Sequence, residues 1–203
     1  MKKYAINEVF YSLQGEGIRA GTSNVFIRFS GCNLKCDIKE SEVSPGGFKC
    51  DTEFVSSVSL TSDELYDLVV KVGGECKSII FTGGEPTLQL DSMLVSHFKK
   101  EGYYVAIETN GSKKVVNGLD WVTVSPKVAE HAIEQVFANE VKYVRGYGQG
   151  IPKTVVLADH YLISPAFDGS ILDTGVLEWC IKLVKENPPW RLSVQQHKSW
   201  VVR

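Results

Sequence analysis

No charge excess, no membrane-length apolar run and no even set of cysteines marks this sequence of 203 residues. Lys plus Arg number 22 against 24 for Asp plus Glu, a net charge of −2. So no global basic field recruits nucleic acid, and no acidic surplus points to disorder. Apolar runs fall well short of the ~18 residues that a membrane span needs. Lys2 and Lys3 are not followed by the apolar stretch of ~7–15 residues typical of a secretory signal, so the chain is read as cytoplasmic. Repeats, low-complexity tracts and linkers are also missing. The length suits one core rather than two, hence a single domain over 1–203. Five cysteines, an odd number in a reducing compartment, argue against a disulfide framework.

What is present is alternation. Strand-like runs at 24–29 (NVFIRF), 78–84 (SIIFTGG), 103–111 (YYVAIETNG), 121–126, 140–145, 160–165 and 191–198 are separated by helical or irregular stretches. Helices are expected over 61–72, 88–100, 128–137 and 173–186. Thr61 and Glu64 have capping-box spacing, and Leu65, Leu68, Val69 and Val72 repeat with helical period. The pattern predicts an α/β fold with a mainly parallel sheet. About six strands fall short of the eight of a closed barrel, so a partial, open (β/α) barrel is expected. Its polar words, SGC, TGGEP, ETNG, SPK, ISP and QQHK, sit at the ends of strands, where parallel α/β folds gather their functional groups.

Cys32, Cys36 and Cys50 are separated by three and then thirteen residues. Three thiolates suit an iron–sulfur cluster with one open iron, a zinc site completed by a distant His131, His160 or His197, or no metal at all. Cys76 and Cys180 read as small structural hydrophobes.

The cysteines followed by TGGEP at 82–86 resemble the radical S-adenosylmethionine superfamily. More narrowly, FYSLQGEG (10–17), NVFIRFSGCNLKC (24–36), CDTEF (50–54), TGGEPTLQLD (82–91), IETNGS (107–112), WVTVSPK (121–127) and WRLSVQQHK (190–198) resemble, in order, segments of the 7-carboxy-7-deazaguanine synthase family. That resemblance implies a carbon–nitrogen lyase of the radical type. It would contract the ring of 6-carboxy-5,6,7,8-tetrahydropterin to 7-carboxy-7-deazaguanine with loss of ammonia, toward queuosine-type deazapurines. It further implies a 4Fe-4S cluster, S-adenosylmethionine, Mg²⁺, an external reductant such as flavodoxin, a homodimer and an incomplete barrel. A glycyl-radical activating enzyme or a non-enzymatic zinc-binding module is the alternative.

The resemblance also implies roles. Cys32, Cys36 and Cys50 match the cluster ligands, and Thr52 matches the hydroxyl that reaches Mg²⁺. Gly83, Gly84 and Glu85 match the segment at the methionine end of the cofactor, with Glu85 offering an acceptor to its ammonium. Ser125, Pro126 and Lys127 match a further cofactor segment, and Ser164-Pro165 stands where the family usually has Gln-Pro. For the pterin, Leu13, Gln14, Gly15, Glu16, Arg28, Thr82, Glu108, Asn110, Gln195, His197 and Arg203 are the matching positions, Arg28 suiting the substrate carboxylate. The superfamily has two residues before its third cysteine, whereas this chain inserts a loop at 37–49, and Lys49 replaces the usual aromatic. Pro45-Gly46-Gly47 lets that loop reverse.

Overall fold

A computed structural model describes residues 2–37, 50 and 53–202. Its strands are β1 (Tyr4–Leu13), β2 (Ser23–Phe29), β3 (Val58–Leu60), β4 (Ser78–Gly83), β5 (Tyr104–Thr109), β6 (Trp121–Val124), β7 (Phe137–Arg145), β8 (Leu157–Pro165), β9 (Phe167–Asp168), β10 (Ile171–Leu172) and β11 (Trp190–Leu192). Nine of them form one sheet in the order β11-β8-β7-β6-β5-β4-β2-β1-β3, and β9 pairs with β10 apart from it. From β2 to β11 every neighbouring pair is parallel. Antiparallel β1 and β3 extend the other end. With β3 and β11 at opposite ends, the sheet is open, as the alternation predicts.

Helices α1 (Ser62–Gly73), α2 (Ser92–Lys100), α3 (Thr174–Glu186) and α4 (His197–Trp200) complete the fold. The first three have side-chain N-caps. Thr61 and Glu64 close a reciprocal capping box on α1, while Asp91 and Asp173 accept from Leu94 and Val176 at 2.9 Å each. Thr61→Ala is expected to cost about 1 kcal/mol, read as a lowered urea midpoint at unchanged slope. No helix is long and apolar enough to cross a membrane among the described residues.

The side chains of parallel strands alternate between two covered faces, which explains the nearly unbroken apolar runs. Outward, Ile27, Phe29, Ile79, Phe81, Val105 and Ile107 pack under Leu65 and Val69 of α1 and Leu94 and Phe98 of α2. Val124, Val141, Tyr143 and Ile163 form a second core with Trp190 and Cys180 of α3. Each such side chain contributes about 1.5–3 kcal/mol on burial. The intervening positions face the concave side. There Phe10, Phe26, Ile80 and Ala106 form an apolar floor beside Trp121. Arg28, Thr82, Glu108, Thr123, Glu140 and Lys142 share that face by strand alternation.

Four expectations change. Seven strands, not about six, make the parallel run, and β1 and β3 join it unforeseen. Residues 128–137 are not a helix: only a short 3-10 turn spans Glu130–Ala132, and Phe137 already starts β7. Ala129 gives that turn no side-chain cap, and the N–H groups of Glu134 and Gln135 go to the Gly111 carbonyl instead of a helical turn. The run 191–198 holds strand only to Leu192, and α4 begins at His197. Cys76 and Cys180 behave as expected: Cys180 is buried, and Cys76 packs against the first core.

Candidate active site

Parallel strands bring their C-terminal ends to one rim, so segments distant in sequence converge there. After β2, Cys32 and Cys36 follow a glycine turn at Gly31. The segment after Cys50 is stitched back to that turn: Phe54 accepts from the Gly31 N–H at 2.8 Å, and Ser56 accepts from Ser30 and Asn7. Glu53 braces the return by accepting from Val55, Ser56 and Asn7, which hold its carboxyl near 2. Cys50 then donates its N–H to the Cys36 carbonyl at 3.3 Å.

The thiols sense one another. Burial pushes Cys32 up, the Leu34 N–H on its sulfur pulls it down, and Glu85, Cys36 and Cys50 push it up again. For Cys36, burial also dominates, opposed by the Lys127 ammonium and reinforced by Cys50. None of the cysteines is disulfide-bonded. No three His, Cys, Asp or Glu side chains stand at metal-holding spacing among the described residues. The donor set nevertheless fits a cluster with three protein ligands: three soft sulfurs share one rim, with the Lys127 ammonium near Cys36. Thr52, Arg203 and the expected loop beyond Asp37 lie outside the described residues.

The glycine turn of TGGEP is packed against the cysteine loop. A Cβ on Gly84 would sit 2.0 Å from the Gly31 carbonyl oxygen, and one on Gly83, at φ +132°, 2.2 Å from that of Phe29. Close approach is therefore to protein backbone. Glu85 is 0% exposed, and its carboxylate accepts from Thr87 N–H and hydroxyl, the Thr109 hydroxyl and the Asn110 N–H.

Further round the rim, Lys127 donates to Ser125 at 2.9 Å, with Pro126 between them after β6. Ser164 and Pro165 are buried at the end of β8. Asn110 bonds Asn33 of the cysteine loop at 3.1 Å, joining β5 to that loop. Thr82 is half-buried beside Arg28, its register partner. Arg28 donates to Glu8 at 2.9 Å and lies over the Phe10 ring, so a carboxylate ligand would compete with Glu8 for it.

The turn after β1 crosses the concave face as a strap. Leu13 ends the strand; Gln14 and Gly15 are buried, and Gln14 donates to Glu108 at 2.7 Å. Gly15 allows the His197 ring to lie against it, since a Cβ there would meet Nδ1 at 2.2 Å. Glu16 pairs with Lys142 and accepts from Gln195 at 2.7 Å. Gly17 donates to Ser193 and Ile18 to Glu140, both at 2.8 Å. A narrow crevice below is lined by Gln14, Arg19, Glu108, Trp121, Thr123 and Glu140. The Trp121 indole N–H is buried with no hydrogen-bond partner among the described residues. Burial raises the Glu108 carboxyl; Gln14 opposes that and Glu140 adds to it.

Lys142, Glu140, Asn33 and Ser193 escape the motif reading. The signal for two of them was available: Glu140 and Lys142 stand two apart in an apolar strand, which puts both charges on one face.

No protein-family model matches the chain. Among curated proteins it is similar to the 7-carboxy-7-deazaguanine synthase of Bacteroides thetaiotaomicron, at 42% identity over 98% of both chains. It is also similar to that of Burkholderia multivorans, at 38% identity over 96% of this chain and 97% of the relative. Among solved structures it resembles the crystal structure of QueE from Escherichia coli, with TM-score 0.68 and 26% identity, covering 96% of this chain and 95% of the other.

Proposed function

Since this chain belongs to the 7-carboxy-7-deazaguanine synthase family, we propose that it converts 6-carboxy-5,6,7,8-tetrahydropterin to 7-carboxy-7-deazaguanine with loss of ammonia. The observation that carries the reading is one polar face: three thiols and the glycine turn stand at the C-terminal ends of the parallel strands, and a polar strap lies over the sheet face that carries Glu108, Glu140 and Lys142.

When bound, a 4Fe-4S cluster supplies the electron that splits S-adenosylmethionine and so the radical that starts the rearrangement. The residues of the chain hold and orient. Cys32, Cys36 and Cys50 would ligate the cluster, with Lys127 offsetting thiolate charge beside Cys36. Gly83, Gly84 and Glu85, which hold the cysteine loop against β4, would lie at the methionine end of the cofactor, with Ser125, Pro126, Lys127, Ser164 and Pro165 along the same rim for it. Gln14, Glu16, Glu108, Asn110, Gln195 and His197 offer acceptors and donors to the pterin edge, beside Leu13, Gly15 and Thr82. Arg28 is the cation on that face for the substrate carboxylate. Thr52 and Arg203 complete the reading as the Mg²⁺ hydroxyl and a weaker substrate contact. Mg²⁺ takes its remaining oxygens from substrate and water. An external one-electron reductant such as flavodoxin and a homodimeric cytoplasmic enzyme with one domain belong to the same reading.

The test is anaerobic reconstitution and reduction, followed by incubation with S-adenosylmethionine, Mg²⁺ and the carboxytetrahydropterin. Mass spectrometry should find 7-carboxy-7-deazaguanine; its absence despite an intact, reducible cluster overturns the reading. In that assay Thr52→Ala is expected to weaken the Mg²⁺ dependence of the rate. An unchanged dependence removes Thr52 from the metal site.

A further inference from the structure

Lys142 has no part in the motifs, yet it is 6% exposed on the concave face with its ammonium against the Glu16 carboxylate. Gln195 donates to the other oxygen of Glu16 at 2.7 Å, so the carboxylate is gripped between β7 and the segment after β11. The strap is fixed on both sides of it: the Glu16 N–H goes to Gln14 at 3.1 Å, and Gly17 and Ile18 donate to Ser193 and Glu140. An ionised carboxylate has about four acceptor sites, so two hydrogen bonds leave it able to accept more.

We propose that Lys142 is a positioning residue for the pterin site: it holds Glu16 ionised and aimed, as an acceptor for the amino and amide N–H groups of the ligand. The inference rests on the substrate reading above and extends it to a residue that reading does not use. Its physical basis is the choice a buried carboxyl faces. Beside an ammonium it stays charged and accepts; alone, it takes up a proton and becomes a donor, the wrong partner for an N–H edge. The charged and titratable groups around Glu16 are Lys142 and Glu140 on β7, Glu108 on β5 through Gln14, and His197 of α4 against Gly15. Burial pulls the Lys142 ammonium down to about 8, and the Glu16 carboxylate at its side acts the other way.

Calorimetric titration of the reconstituted protein with pterin-6-carboxylate tests this. Wild type should bind with an affinity that changes little between about pH 7 and about pH 6, whereas Lys142→Met should bind about tenfold more weakly and lose further affinity as pH falls. Lys142→Arg, which keeps the charge, should restore most of the binding. The double variant Lys142→Met with Glu16→Gln should be no weaker than Glu16→Gln alone. A Lys142→Met protein with wild-type affinity and a flat pH profile overturns the inference, as do additive losses in the double variant. Should Lys142→Met fail to fold, Glu16→Gln decides, and undiminished binding by it overturns the proposal. A wild type that gives no heat with the pterin overturns the substrate reading, and this inference with it.

Discussion

Gly84→Ala is expected to cut product formation by about 100-fold or more, although it only adds a methyl group. The new Cβ would lie 2.0 Å from the Gly31 oxygen, 2.5 Å from its carbonyl carbon and 3.0 Å from the Cys32 Cβ. Two of these are backbone atoms, so no side chain can swing away to make room. The contact cannot open freely either, because the Gly84 N–H bonds Phe29 at 3.1 Å and the Glu85 N–H bonds Gly31 at 2.9 Å. Relief must come from moving the cysteine loop off the end of β4, which displaces Cys32 relative to Cys36 and Cys50. Overpacking of this kind costs roughly 1–3 kcal/mol, enough to be felt but not to unfold a typical domain. The expected signature is therefore a folded protein with a lowered melting temperature and a reduced iron content after reconstitution. Wild-type iron loading in Gly84→Ala would show that this close approach does not place Cys32.

Glu85→Ala should have the largest effect on stability of any single substitution at the rim. Its removal leaves the Thr87 and Asn110 N–H groups and two threonine hydroxyls without their acceptor. A buried donor left unmade costs about 1–3 kcal/mol, so several together amount to roughly 3–6 kcal/mol, comparable with the lower end of ordinary domain stability. Urea unfolding would read this as a large fall in midpoint. Glu85→Gln keeps one acceptor oxygen but turns an amide N–H₂ toward donors, so an intermediate loss is expected. An unfolding free energy within about 1 kcal/mol of wild type for Glu85→Ala would mean that water replaces the carboxylate without penalty.

Both substitutions touch a place whose location was legible in the sequence and whose packing was not. TGGEP marked the rim correctly, but its spacing cannot say whether glycines admit a ligand or a neighbouring strand. The parallel pairing of β2 with β4, which sets Phe29 opposite Gly83, supplies the neighbouring backbone that these glycines meet. Local signals read well wherever the chain acts on its near neighbours. The Thr61–Glu64 box caps α1, and Leu65 and Val69 take the buried face. The failures arise from distant partners. Residues 128–137 have helical spacing, but Glu130 is taken by Tyr143 and Val155. Charges inside strands were legible one at a time, as for Arg28. The pairing of Glu16 with Lys142, 126 positions apart, is a property of the strap and the sheet together. Cys32, Cys36 and Cys50 stood out as a group of soft donors, although their spacing alone left an iron–sulfur cluster, zinc or no metal open.

The strap carries one more consequence, for synthesis on the ribosome. Glu16 meets Gln195 across 179 positions, and Gly15 accepts the Gln196 N–H at 2.9 Å. Domains fold as units while chains emerge N-terminus first, at about 5–20 residues per second, so contacts of such long range form late. The nascent chain therefore exposes its thiols and glycine turn well before Ser193, Gln195 and His197 arrive to close the strap. The strap is the last part of this face to close, after the cysteine loop and the glycine turn have emerged.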